Sequence, residues 1–121
     1  MRIIRGRADG ADTKQPTETF TGTVFMDPVL PPTDGAMVNS VAFQPGARTN
    51  WHTHERGQLL LVTSGEGRVA LEGDEPAAIR AGDAVWIAPG ERHWHGAGPS
   101  THMVHTAVSL GETRWEDPVT D

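Results

Sequence analysis

The chain has 121 residues, short of the roughly 150 usual for one domain, and a single domain of that size can bury a core without disulfide or metal staples. It has no cysteine, which excludes disulfides, zinc fingers, iron–sulfur clusters and a thiol nucleophile. The formal net charge of −6, with ten basic side chains scattered singly, argues against nucleic-acid or anionic-membrane binding.

The opening "MRIIRGRADGADTKQ" carries positive charge but no apolar core, so no signal peptide is expected, and no run approaches the roughly 18 apolar residues of a membrane span. With the missing cysteines, this points to a cytoplasmic protein. Residues 1–19 show no periodic pattern and read as an N-terminal arm. "FTGTVFM" (20–26) is the first strand, followed by "DPVLPPTDG" (27–35), which reads as a stiff proline-rich loop. "NSVAF" (39–43), "QLLLVTS" (58–64), "GRVALE" (67–72), "AVWIA" (84–88) and "HMVHTAVSL" (102–110) complete a set of short β-branched and apolar strands. Turn signals separate them, among them "QPGA", "SGEG", "RAGD" and "APGE". The barrel is expected to span 20–114, with 115–121 as a C-terminal tail. Almost nothing reads as helix, so the fold class is all-β, a sandwich or barrel of antiparallel strands.

All six histidines fall between 52 and 105, and four of them form two H-x-H pairs, His52/His54 and His93/His95. On a strand, residues two apart share a face, so each pair presents two imidazoles on one side. Gln58 has the parity of the first pair. Imidazole suits divalent manganese, iron, cobalt, nickel, copper and zinc, and a surface or hydrogen-bonded pair is the plainer account of either motif alone. Ligand imidazoles must be deprotonated, so a metal held this way should be lost below about pH 6. His105 shares its parity with Met103, Ala107 and Ser109; it is as well explained by lining a cavity as by acid–base work. His102 falls on the opposite face. Trp51, Trp86 and Trp94 read as core or rim packing, with Trp94 facing away from His93 and His95. Thr49 and Asn50 could hydrogen-bond near the site or cap a turn.

Gly46, His52-Thr-His54, Gln58 and Gly65 resemble the first signature of the cupin superfamily, and Gly82-Asp83, Pro89-Gly90 and His93 resemble the second. The resemblance implies a double-stranded β-helix, or jelly-roll barrel, with one divalent transition metal per chain. Two departures stand out: Gln58 replaces the usual glutamate, and Ala88 replaces a usual proline. An amide in place of a carboxylate leaves the ion its full double charge, which favours Lewis-acid over oxygen-activating chemistry.

"FTGTV", "PGARTNWHTHERGQ", "VWIAPGERHWHGA" and "WEDPVTD" are also similar to small bacterial cupins associated with carboxymuconolactone-decarboxylase-like proteins, a group that includes manganese-dependent hydroxynitrile lyases. That likeness implies His52, His54, Gln58 and His93 as metal ligands, manganese as the ion, and His95 and His105 near a small organic substrate. His95 is the preferred general base, with a fourth ligand or a hydrogen-bonded supporting role as its alternatives. The implied activity is cyanide release from a cyanohydrin. A dioxygenase acting on a catechol- or diketone-like substrate and a non-catalytic binding module remain open. A homo-oligomer, dimer or tetramer, is expected because a small open barrel leaves sheet edges for a partner copy to cover.

Overall fold

A computed structural model describes residues 1–120, and the strands it contains are antiparallel throughout. In chain order they are β1 (Phe20–Thr21), β2 (Val24–Thr33), β3 (Ala36–Phe43), β4 (Arg48–Thr49), β5 (His52–His54), β6 (Gln58–Leu71), β7 (Ala77–Arg80), β8 (Ala84–Ile87), β9 (His93–Ala97), β10 (Met103–Leu110) and β11 (Thr113–Trp115). There is no helix among the described residues, and so none long and apolar enough to cross a membrane.

The long strand β6 joins the two halves of the barrel. Its first part lies between β10 and β8, in a sheet that continues through β3 to β2. Its second part lies between β7 and β9, and β9 in turn pairs with β4 and β5. The segment "SGEG", expected to reverse the chain, instead bends it from one half into the other. Gly65 makes this possible: φ is +74°, and a Cβ there would lie 1.9 Å from the carbonyl oxygen of His102.

The proline-rich stretch 27–35 is the second departure from expectation. It is strand, not loop, and forms a hairpin with β3. The prolines survive because β2 lies at the margin of its sheet, where a missing N–H breaks no ladder on the outer side. The register slips between Pro28 and Leu30 and again before Thr33. Asp34 and Gly35, both with positive φ (51° and 82°), make the tight turn that an Asp-Gly pair favours.

The termini are also more engaged than arms. Lys14 exchanges two backbone hydrogen bonds of 2.8 Å with Met26, and strand β11 runs through Trp115, one residue into the expected tail. Beyond it, the amide of Trp51 donates to the carbonyl of Asp117 over 2.9 Å.

Side chains alternate as a half-buried sheet requires. On β10, Met103, His105, Ala107 and Ser109 are buried while the residues between them are half-buried. The inward apolar residues Val24, Val41, Phe43, Val62 and Met103 pack one part of the barrel, and Leu60, Ile87 and Ala107 form a smaller second cluster. Each of the larger of these side chains contributes roughly 1.5–3 kcal/mol by leaving water, and Ala107 less. The barrel holds a further set of inward side chains that are not apolar.

Candidate metal centre

Those polar side chains are the histidines. Strand β5 turns His52 and His54 inward, β9 turns His93 and His95 inward, and β10 contributes His105; all five are at most 3% exposed. The strands meet in register, with His52 opposite His93. Ring centroids of that pair are 4.1 Å apart, His54 lies 5.0 Å from His52 and 5.5 Å from His93, and His95 lies 5.2 Å from His52. The histidines whose ligand atoms all lie within 4.8 Å of one another are His52, His93 and His95; His95 belongs to this group and His54, expected as a ligand, does not.

Two of these rings are fixed by their outer nitrogen. Nδ1 of His52 donates to the carbonyl of Asn50 over 2.9 Å, and Nδ1 of His93 donates to that of Glu91 over 2.8 Å. A neutral imidazole with its proton on Nδ1 carries a lone pair on Nε2, the form a metal accepts. Nδ1 of His54 lies 3.0 Å from the hydroxyl of Thr113, and its buried Nε2 has no partner. Gln58, at the start of β6, sets its Oε1 3.2 Å from Nε2 of His93. Metal-binding histidines characteristically hold their second nitrogen in this manner. The donor set therefore fits a divalent ion.

His95 and His105 form a second unit. Nε2 of His105 lies 2.9 Å from Nδ1 of His95, and this leaves Nε2 of His95 and Nδ1 of His105 buried without partners. The amide of His95 donates to the hydroxyl of Thr49 over 3.2 Å, so Thr49 supports the site.

Burial disfavours the charged form of all five rings. It lowers His54 to about 4, reinforced by the neighbouring His93 and opposed by the nearby Gln58 amide, and it lowers His105 to about 4. It depresses His52 well below the usual value, with His93 adding to the effect, and His95 likewise, with His105 adding; His93 is lowered as well. Burial thus disfavours protonation of the donors, so metal should be lost at a lower pH than an ordinary imidazole would set.

A cavity of about 320 Å³ opens beside these groups. It is lined by the polar His52, His54, Gln58, His95 and His105 together with the apolar Phe20, Met26, Met37 and Val41. Lys14, Thr113 and Trp115 also contribute to its wall, and the Trp115 ring stacks on His52 at 4.4 Å. Lys14 and Thr113 are not marked by their local sequence, and the fold brings all three in from the ends of the chain. His102 lies outside, exposed and bonded to Ser64. Trp94 does face away, buried between the guanidinium groups of Arg48 and Arg68. Trp86 is more than half exposed (56%).

Residues 39–108 match the cupin domain model. The chain belongs to the cupin family. It is 48% identical over 117 residues to a protein of Granulicella tundricola named (R)-mandelonitrile lyase, covering 92% of this chain and 89% of that one. Among solved structures, a cupin-like protein from Thermotoga maritima superposes with a TM-score of 0.85 at 34% identity, covering 99% of this cupin and 92% of the other. An acetylacetone dioxygenase from Acinetobacter johnsonii superposes with a TM-score of 0.76 at 14% identity, covering 97% and 78%; that likeness extends to the fold alone.

Proposed function

We propose that this cupin is a metal-dependent hydroxynitrile lyase, cleaving an aromatic cyanohydrin to an aldehyde and hydrogen cyanide or running the reverse. The observation that carries this reading is the 48% identity to a protein named for that reaction, extending over nearly the whole chain. The buried donor set supports it. His52, His54, Gln58 and His93 would hold one divalent ion, manganese by preference, and the bound ion would supply positive charge to stabilise the negative charge that develops as the carbon–carbon bond breaks.

The chain's own groups handle the proton. In cleavage the hydroxyl proton passes to Nε2 of His95, the C–C bond breaks with its electron pair leaving on cyanide, and the carbonyl forms; His95 then returns the proton to cyanide, which leaves as hydrogen cyanide, so the sequence is redox-neutral. Nε2 of His95 is free for this role because its Nδ1 is already engaged with His105. When His95 donates to His105, its Nε2 bears a lone pair and can act as base. Once it has taken a proton, His95 is an imidazolium whose Nε2–H can act as acid, toward cyanide in cleavage or toward the alkoxide in the reverse direction. One dyad therefore serves both directions. The apolar wall of Phe20, Met26, Met37 and Val41 suits an aromatic ring and keeps water from the reacting atoms.

The test is benzaldehyde release from mandelonitrile at mildly acidic pH, by manganese-loaded protein against a metal-stripped control. Metal-dependent release supports the lyase. Oxygen uptake with a catechol and no benzaldehyde would replace it with a dioxygenase, and no turnover of either would leave a ligand-binding protein.

A further inference from the structure

Ser109, which the lyase mechanism leaves unused, is paired with the proposed ligand Gln58. They sit opposite each other on β6 and β10, both at least 96% buried. Nε2 of Gln58 donates to Oγ of Ser109 over 3.0 Å, while Oε1 points to His93.

Counting protons shows what this orientation is for. Nδ1 of His93 faces a carbonyl, which only accepts, so the ring proton is on Nδ1 and Nε2 carries a lone pair. Oε1 of Gln58 likewise only accepts. Two acceptors therefore face each other at 3.2 Å with no proton between them, an arrangement that a cation satisfies. Rotating the amide by half a turn would set its NH2 group against His93 and suit a site without an ion. An amide has two distinct ends, and only one can bind a metal.

We propose that Ser109 is a positioning residue for the metal centre: by accepting the Nε2–H of Gln58 it presents the amide oxygen to the ion. The inference rests on the metal site proposed above. Removing the hydroxyl leaves the oxygen-inward amide with a buried N–H that has no partner. Loss of such a supporting group weakens metal binding by roughly 10-fold or more.

Manganese(II) is titrated calorimetrically into the metal-stripped full-length chain. Ser109→Ala should bind about 10-fold more weakly than the parent, and Ser109→Thr, which keeps the hydroxyl, should restore binding. Ser109→Cys, nearly isosteric but a weak acceptor, should show the same loss and serves if the alanine variant does not fold. In a Gln58→Glu background the same Ser109→Ala change should cost less than about threefold, because a carboxylate has oxygen at both ends. A packing defect would cost the same in both backgrounds, and that result would overturn the role of Ser109. So would unchanged binding by Ser109→Ala beside a parent that binds normally. A parent that binds no manganese would overturn the metal site itself, and this inference with it.

Discussion

Taking the metal-stripped protein from pH 7 to pH 4 should unfold it, and the histidines set the size of the effect. An unfolded histidine titrates near 6.5, whereas burial holds His54 and His105 near 4 in the folded chain. Between those values the unfolded chain binds protons that the folded chain refuses, so stability rises with pH across the window and is lost as pH falls from 6.5 to about 4. A gap of about 2.5 units at 1.36 kcal/mol each gives about 3 kcal/mol per residue, and roughly 6 to 7 kcal/mol for the pair. That approaches the whole stability of an ordinary domain, about 5–15 kcal/mol. His52, His93 and His95 act in the same direction. Urea unfolding followed by tryptophan fluorescence, at half-unit pH steps, should give a free energy falling by more than about 2 kcal/mol per pH unit near pH 5. Added manganese should move the transition to lower pH, since it binds only the folded, deprotonated site. A free energy that is flat between pH 6.5 and 5, or that rises as pH falls, would refute the assignment of these rings as buried and neutral.

His52→Ala or His93→Ala should abolish binding of about one metal per chain, as measured by elemental analysis after dialysis; full occupancy in either variant would remove these residues from the ligand set. Gln58→Glu should retain or tighten metal binding while lowering benzaldehyde release, because the added carboxylate partly neutralises the ion; a more active variant would contradict Lewis-acid catalysis. The exposed Leu61, Trp86 and Phe25, with β2 at a sheet margin, lead us to expect a homo-oligomer, checked by light scattering at micromolar concentration against the 13.0 kDa of one chain.

The inward-facing groups were legible in the sequence because a strand repeats every two residues. That period alone puts His52 with His54, His93 with His95, and His105 with Ser109 on common faces, and the barrel follows from the density of turn signals. What the period cannot supply is the pairing between distant strands. Thr113 reaches His54 from 59 positions away, and Trp115 stacks on His52 because β11 pairs with β5. The 27–35 stretch misled because its prolines argue against strand in general, and only a place at the sheet margin makes them acceptable. The lowered basicity of the histidines is beyond local reading for a related reason: burial is a property of the closed barrel, not of any local motif.

The engagement of the chain ends separates two properties of this cupin along its sequence. The five inward histidines and Gln58 all fall within residues 39–108, the stretch matched as a cupin domain. Much of the cavity wall lies outside it: Lys14, Phe20, Met26, Pro28 and Pro31 on one side, Thr113 and Trp115 on the other. Mutational drift in the flanks can thus reshape the chamber around an unchanged set of imidazoles. The outline of the chamber is thus open to change independently of the histidine motifs, and libraries meant to retune selectivity belong in the two ends of the chain.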